Sequence, residues 1–177
     1  MRILIMGCGR VGATLANMMA NEGHDVTIMD ISSAPFARLG RDFPGGNVIG
    51  DGTDEAVLKR AGIEEMDCFV AVTNGDNRNI LAAQIAKHIF HVPRVICRIY
   101  DPKRQETYTE LGLDSICPTI VGAQLIRNAL LDPEKGVKSP AQALAEGRSV
   151  PLRGARQEAA PVESPGPAAG GSGVTTR

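Results

Sequence analysis

The chain has 177 residues, of which 43% are hydrophobic, and 19 Lys and Arg stand against 20 Asp and Glu, for a net charge of −1. This is a typical globular composition, and the charge argues against a nucleic-acid-binding module with a broad basic face. There is no apolar run of the roughly 18 residues that a membrane span needs, and no signal-peptide pattern. The four cysteines form no Cys-x-x-Cys pair. We therefore expect a reduced, cytoplasmic protein without a metal site.

Short apolar runs alternate with segments of helical periodicity along the first 131 residues. Strands are predicted at residues 2–6, 25–30, 47–50, 68–73, 94–99 and 115–117. Helices are predicted at residues 11–21, from about 33, from 54 to 62, and at 76–89, 102–111 and 120–131. Such alternation with short connections favours parallel pairing through right-handed crossovers. The predicted fold is α/β, a doubly wound parallel sheet of about six strands.

Two of the predicted helices have apolar residues at a spacing that should define the buried face. In the first helix these include Val11 and Leu15, and in the helix of residues 76–89 they include Ile80 and Leu81. We expect these side chains to pack against the sheet.

A change in composition after Leu131 marks a domain boundary. All six aromatic residues precede it, whereas six of the eleven prolines follow it. A Pro- and Gly-rich segment of this kind cannot bury enough apolar surface to offset the entropy lost on ordering. The sequence therefore predicts a folded domain at residues 1–131, followed at 132–177 by a linker and a mostly disordered tail, with one marginal helix at 139–147.

A glycine-rich turn joins the first strand to the first helix. Its residues are Gly7, Cys8, Gly9, Arg10, Val11 and Gly12. In a turn of this pattern the first glycine permits a tight bend, the second lets the backbone approach a pyrophosphate, and the third lets the helix pack closely on the strand. The pyrophosphate would lie on free N–H groups at the positive end of the helix dipole. Together with the predicted sheet, this indicates a Rossmann-type nucleotide-binding domain.

An acidic residue, Asp30, ends the second strand 18 positions after Gly12. A carboxylate at this position accepts hydrogen bonds from the ribose hydroxyls of the adenosine moiety. It would repel a 2′-phosphate, and the following Ile31-Ser32-Ser33 offers no Arg to accept one. We therefore expect NAD(H), or an adenosine nucleotide with a free ribose, rather than NADP(H). Arg10, inside the turn, could bind a phosphate with two hydrogen bonds.

Polar residues also follow three later strands, where parallel sheets of this kind bind ligands. Asp51, Gly52 and Thr53 follow the third strand, Thr73 and Asn74 follow the fourth, and Arg98 ends the fifth. These positions suit contacts to base, ribose and phosphate. A second interpretation is open for Thr53 and Asp76, which could instead cap the helices that follow them.

The sequence offers no clear catalytic group beside this turn. Its three histidines are placed away from the carboxyl ends of the strands, and neither tyrosine forms a Tyr-x-x-x-Lys pair. A bound nucleotide without chemistry is therefore the better interpretation. Two alternatives are a small NAD-dependent oxidoreductase and a methyltransferase-like protein that binds S-adenosylmethionine.

Several motifs together resemble the TrkA-type regulators of bacterial potassium uptake, whose N-terminal domain is also called the regulator-of-K⁺-conductance (RCK) N-terminal domain. They are the glycine turn with Leu15-Ala16, Asp30, Gly50-Asp-Gly-Thr53, the run from Val70 to Asn77, and Arg98-Ile-Tyr-Asp-Pro102. The resemblance covers residues 1–131. It implies a cytosolic subunit that binds NAD(H) or ATP/ADP as a signal and gates a membrane potassium transporter or channel from the inner face of the cell membrane.

The resemblance also implies roles for individual residues. Gly7, Gly9, Arg10 and Gly12 would contact the phosphates, Asp30 the ribose, and Asp51 with Thr53 the adenine side, while Thr73, Asn74 and Arg98 would line the remaining crevice.

Self-association is a further expectation of the resemblance. The last predicted helix, Ile120–Leu131, carries many apolar residues, which suggests a dimer contact within a larger ring; its alternative is a helix that packs on its own sheet. Many members of the family continue into a second, ligand-sensing domain. Residues 132–177 stand in that place here, so a sister subunit could supply it.

Overall fold

The computed structural model describes residues 1–131, and the predicted linker, marginal helix and tail lie outside the described residues. The strands are β1 Arg2–Met6, β2 Asp25–Asp30, β3 Gly46–Ile49, β4 Cys68–Ala71, β5 Arg94–Arg98 and β6 Ser115–Ile116. The α-helices are α1 Arg10–Asn21, α2 Glu55–Arg60, α3 Asp76–His88, α4 Pro102–Glu110 and α5 Pro118–Leu131. Two short 3₁₀ helices span Ala34–Arg38 and Ile63–Glu65.

The six strands form one parallel sheet in the order β3-β2-β1-β4-β5-β6. This order confirms the predicted doubly wound α/β fold, because the chain builds outward from β1 in one direction and then, after β3, in the other. The carboxyl ends of β1 and β4 are neighbours where the direction reverses. A crevice is expected at that point of the sheet.

The central strands are buried on both faces. Side chains of β1 alternate between two apolar clusters: Leu4 and Met6 pack with Leu58 of α2 and the alanines of α3, and Ile3 and Ile5 pack with α1. All four residues of β4 are buried. The polar groups of the site therefore project from a rigid, apolar platform.

The predicted buried faces of two helices are wrong in part. Val11 of α1 and Leu81 of α3 are 49% and 52% exposed. The buried residues of α1 are the small Gly12, Ala13 and Ala16. In α3 the predicted burial of Ile80 is confirmed, and Asn79, Ala82, Ala83 and Ala86 share its buried face.

The helix expected from about Ser33 is only a five-residue 3₁₀ helix without buried residues. Pro35 lies in its first turn, where a missing amide costs no intrahelical hydrogen bond, but the backbone is already extended at Leu39, and Gly40, Pro44 and Gly45 follow before a longer helix could form. The shortening brings Arg38, at the end of this element, to the edge of the crevice.

The final helix, α5, does not pack on its own sheet. None of its residues is buried, and Leu125, Ile126 and Leu130 are 63%, 64% and 74% exposed. The alternative that this helix covers the sheet is therefore wrong.

Candidate functional site

A cavity of about 710 Å³ lies at the carboxyl ends of the strands, on either side of the β1–β4 junction. Its size is in the range of cofactor-binding clefts. It is lined by eleven of the residues expected at the site: Gly7, Gly9, Arg10, Val11, Asp30, Ile31, Asp51, Gly52, Thr73, Asn74 and Arg98. Cys8, Gly12 and Thr53 were expected there as well, but they are not among the lining residues.

The three glycines of the turn differ in what surrounds them. Gly7 has φ +105°, and a Cβ there would lie 2.9 Å from the Thr73 amide nitrogen; a Cβ on Gly12 would lie 1.8 Å from the Gly7 carbonyl oxygen. The protein's own packing thus requires both. A Cβ on Gly9 would meet no protein atom within 4 Å, although Gly9 lines the cavity. Internal packing does not explain Gly9, and the open space beside it leaves room for a ligand to approach the backbone.

The N-terminus of α1 faces this cavity without a side-chain cap. Its N-cap residue is Gly9, no side chain in the described chain accepts from its first amides, and its first turn has no acidic residue. These amides carry the partial positive charge of the helix dipole. The arrangement suits an anionic group.

Asp30 lies beside the turn, at the end of β2. Its Oδ2 accepts from the Cys8 amide at 2.8 Å and its Oδ1 from the Ser32 amide at 3.3 Å. A carboxylate has about four acceptor positions, so capacity for further donors remains. The Cys8 side chain is buried, donates from Sγ to the Pro35 carbonyl, and has a pKa raised by burial and by the nearby Asp30 charge. Cys8 therefore serves the site through its backbone.

Asp51 follows β3 and is bound by its own loop. The Thr53 amide donates to Asp51 Oδ1 at 3.0 Å and the Thr53 hydroxyl does so at 2.8 Å, and these two hydrogen bonds lower the pKa of Asp51. Thr53 does not cap α2; Asp54 does, by accepting from the Ala56 amide. Asp30, Ile31, Asp51 and Gly52 together form the β2–β3 half of the crevice.

Thr73, Asn74 and Arg98 form the β4–β5 half. Arg98 is 9% exposed, donates from Nη2 to the Thr73 carbonyl, and lies 4.5 Å from the ring centroid of Tyr100, which also lines the cavity. Arg98 Nε is a buried donor with no partner among the described residues. The ends of β4 and β5 are thus joined directly at the cavity wall.

Asp76 was open to two interpretations, and the structure supports neither as stated. Gly75 is the N-cap of α3, and Asp76 is not part of the cavity lining. Its carboxylate instead accepts from the amides of Tyr100 and Asp101 at 2.9 and 3.2 Å. Asp76 therefore holds the loop after β5 against α3.

Sequence reasoning missed two arginines of the lining, Arg38 and Arg78. With Arg10 and Arg98 they place four guanidinium groups around the cavity against two carboxylates, which favours an anionic ligand. Arg38 could not be predicted because it depends on the shortened element after β2. The charge of Arg78 also contributes to the lowered pKa of Asp51.

The part of the chain that the structure describes contains no group of three or more His, Cys, Asp or Glu side chains placed to hold a metal ion. None of the helices within residues 1–131 combines the length and the apolar character required to cross a bilayer.

A family model described as the TrkA-N domain matches residues 3–119. Among curated proteins, the chain is 48% identical over 116 residues to the Trk system potassium uptake protein TrkA of Streptomyces coelicolor, covering 66% of this chain and 52% of that one. It is 34% identical over 116 residues to a TrkA homolog of Methanothermobacter thermautotrophicus, covering 66% and 53%. The chain therefore spans about half the length of these relatives.

Solved structures of the GsuK channel are also similar. The channel bound to NAD matches with a TM-score of 0.66 and 25% identity, covering 82% of this chain and 25% of that one. GsuK bound to ADP matches with a TM-score of 0.63 and 26% identity, covering 72% and 33%.

Proposed function

This chain belongs to the TrkA-N domain family, and from that premise we propose that it is a nucleotide-sensing regulatory subunit of a potassium uptake system or channel. Its ligand would be NAD(H) or ATP/ADP, bound as a signal and not as a reactant. The observation that carries the proposal is the open backbone at Gly9, which lies between the uncapped N-terminus of α1 and the Asp30 carboxylate.

The proposed binding mode follows the polarity of these groups. The pyrophosphate lies on the first amides of α1, where Gly9 leaves room for it and Arg10 adds a charge. The adenosine ribose donates its hydroxyls to Asp30, and the base extends toward Asp51. Both NAD and ADP contain this moiety, in accordance with the two ligands named for GsuK.

A ligand of this kind regulates by binding one conformation of an assembly more tightly than another, which shifts their populations. We propose that the assembly is a homo-oligomer joined through α5, a dimer or a larger ring, with a sister subunit as a possible further member. Leu125, Ile126 and Leu130 would form the contact, because they leave an apolar face exposed on the described part of the chain. The membrane partner would be a potassium transporter or channel subunit, which places the protein at the cytoplasmic face of the cell membrane.

Nucleotide binding is tested by thermal unfolding of the full chain with NAD, NADH, NADP, ATP, ADP, AMP and S-adenosylmethionine. A ligand at 100 times its Kd stabilises the folded state by about 2.7 kcal/mol. We expect a shift with NAD(H) or ATP/ADP, and its loss in Asp30→Ala. Undiminished nucleotide affinity in Asp30→Ala would refute the ribose assignment. A larger shift with S-adenosylmethionine, or hydride transfer from NADH to a panel of carbonyl compounds, would favour one of the two enzyme alternatives.

The turn is tested by the matched pair Gly9→Ala and Gly12→Ala. Gly9→Ala should weaken nucleotide binding and lower the unfolding free energy by no more than about 1 kcal/mol, because its Cβ meets no protein atom and only the N-cap preference for glycine over alanine is lost. Gly12→Ala should destabilise the fold, because its Cβ would overlap the Gly7 carbonyl. Unchanged nucleotide affinity in Gly9→Ala would contradict the proposed position of the pyrophosphate.

Self-association is tested by sedimentation of the full chain. Ile126→Asp should shift the distribution toward monomer, and Gln124→Asp, on an exposed polar position of the same helix, should not. Equal behaviour of the two variants would exclude the apolar face of α5 as the contact.

A further inference from the structure

Asn74, in the loop between β4 and α3, lines the cavity and is exposed. It is the only one of the chain's seven asparagines that a glycine follows. An asparagine before glycine loses its side-chain amide more readily than before any other residue, because the next backbone nitrogen attacks the side-chain carbonyl and a glycine has no Cβ to shield that nitrogen. The pair Asn74-Gly75 therefore has the sequence of a spontaneous modification site.

The structure leaves the backbone nitrogen of Gly75 almost free. Its one hydrogen-bond partner in the described chain is the Thr73 hydroxyl oxygen, at the long distance of 3.4 Å. A Cβ on Gly75 would meet only the Arg78 Cβ, at 3.7 Å, and the backbone there has φ −117° and ψ 115°, which any residue adopts. Neither packing nor backbone conformation requires glycine at this position.

The residues on either side of the pair are held, whereas the Asn74 side chain is not. The Thr73 amide donates to Oδ1 of the buried Asn79 at 2.9 Å. The Asp76 carboxylate accepts from the amides of Tyr100 and Asp101. Among residues 1–131, no hydrogen bond holds the Asn74 side chain. It can therefore turn toward the Gly75 nitrogen while the loop around it stays in place.

A second acid-derived pair in the cavity, Asp51-Gly52, provides a contrast. An aspartate before glycine can cyclise by the same route, but its carboxylate is a poor electrophile and reacts only when protonated. The two hydrogen bonds from Thr53 lower the pKa of Asp51 and hold its Oδ1. A Cβ on Gly52 would lie 2.2 Å from Met6 Sδ, so packing explains this glycine. The structure protects Asp51 and leaves Asn74 open to attack.

We propose that Asn74 is a site of spontaneous deamidation inside the crevice, and that the carboxylate it gains weakens the binding of an anionic nucleotide. The Gly75 nitrogen bonds to Asn74 Cγ, the bond from Cγ to Nδ2 breaks, and the proton of the Gly75 amide leaves with Nδ2 as ammonia. Water then opens the cyclic imide at either carbonyl, which yields Asp or isoaspartate. No oxidant or reductant takes part.

The effect on binding follows from the charges around the cavity, and this part of the inference rests on the proposed function. Four guanidinium groups and two carboxylates line the cavity, and a carboxylate at position 74 would be the third. Because the position is exposed, solvent screens the new charge, and nucleotide affinity should fall by about two- to fivefold, as for an exposed ion pair. Isoaspartate would also lengthen the main chain directly before Gly75, the N-cap of α3.

Deamidation is tested by peptide mapping with mass spectrometry after the full chain is incubated, folded, at mildly alkaline pH. Asn74 should convert from amide to acid before the other asparagines, with Asp and isoaspartate peptides as separate products. Gly75→Ala should slow the conversion strongly, because its Cβ shields the attacking nitrogen. Absence of conversion at Asn74, or an equal rate in Gly75→Ala, would overturn the modification site whatever the protein binds.

The consequence is tested by calorimetric titration of ADP into the wild type, Asn74→Asp and Asn21→Asp. Asn21 is exposed at the end of α1 and is not part of the cavity lining, so Asn21→Asp adds the same charge elsewhere. Asn74→Asp should bind ADP more weakly, with a loss that shrinks as salt is added, and Asn21→Asp should bind it like the wild type.

Unchanged ADP affinity in Asn74→Asp, or an equal loss in both variants, would overturn the effect on binding while the proposed function stands. If the wild type binds none of ADP, ATP and NAD, the proposed function and the effect on binding fail together. The mass measurement then still decides whether Asn74 is modified.

Discussion

The two halves of the crevice hold their polar groups in different ways. In the β2–β3 half, each carboxylate accepts from an amide two residues further along its own loop, Asp30 from Ser32 and Asp51 from Thr53, and Asp30 also accepts from the Cys8 amide of the glycine turn. In the β4–β5 half, the polar groups of two strands converge on one buried amide, Asn79, which a separate helix supplies. The first half is assembled largely from local turns and the second from tertiary packing.

A titratable group in or beside each half has a shifted pKa, and the two shifts have opposite directions and different causes. The pKa of Asp51 is lowered by hydrogen bonds from Thr53, which stabilise the charged carboxylate. The pKa of Cys97, which precedes Arg98 on β5, is raised to about 12, mainly because burial disfavours the thiolate, with the charges of Asp76 and Asp114 adding to the rise. Solvent and local hydrogen-bond donors therefore determine the pKa in the β2–β3 half, and burial in the apolar interior determines it beside the β4–β5 half.

The largest expected effect is a difference in unfolding free energy between a variant of the β4–β5 half and a variant of the β2–β3 half. Asn79→Ala leaves the buried Arg98 carbonyl and the Thr73 amide without their partner, which should reduce the unfolding free energy by on the order of 3 kcal/mol. Asp51→Ala removes only hydrogen bonds that water can replace and should cost less than about 1 kcal/mol. Urea unfolding of both variants measures the difference. Equal losses would show that the two halves are not held differently.

The same contrast explains how much of the structure was predictable. Strand–helix alternation was sufficient for the doubly wound parallel sheet, because short connections leave few other topologies. The position of Asp30 followed from its spacing to Gly12, a local feature of β1, α1 and β2. Most of the crevice lining could be named for this reason: strand ends in such a sheet meet at one edge.

What escaped prediction depends on packing between distant segments. In the sequence, Asn79 is not distinguished from any other polar residue in the first turn of the helix after β4. Only its sheet-facing neighbour Ile80 indicated that this part of the helix is buried. The buried alanines of α3 were missed because periodicity was assigned by large side chains such as Leu81. Arg38 lines the cavity from the end of an element that stops at Leu39, where the backbone becomes extended, and the expected longer helix did not anticipate this.

The pH dependence of stability at alkaline pH tests the effect of burial on the β4–β5 side, through the thiol of Cys97. The folded pKa of Cys97 is about 12, above the ordinary 9.0 of a thiol, so between these values the unfolded chain loses a proton that the folded chain retains. Stability from this group is complete below pH 9 and declines above it, at up to about 1.4 kcal/mol per pH unit. Unfolding free energies at pH 9 and 10 should fall more in the wild type than in Cys97→Ala. Parallel slopes would contradict the shift, since Cys97→Ala changes the offset but has no thiol to titrate.

The smallest expected effect is a change in the pKa of Asp51 in the β2–β3 half. The stability that this group contributes is lost as the pH falls, whereas that of Cys97 is lost as the pH rises. Because the folded pKa of Asp51 is below its ordinary 3.8, its contribution to stability is complete above that pH and is lost as the pH falls through the folded value. Thr53→Val removes the hydroxyl donor and keeps the amide donor, so the Asp51 pKa should rise part of the way toward 3.8, whereas Thr53→Ser should leave it lowered. Carboxyl-carbon NMR titration of the three proteins measures this directly. If Thr53→Val left the pKa where it is, the hydroxyl would contribute nothing to the shift, and the Thr53 amide and the Arg78 charge would account for it.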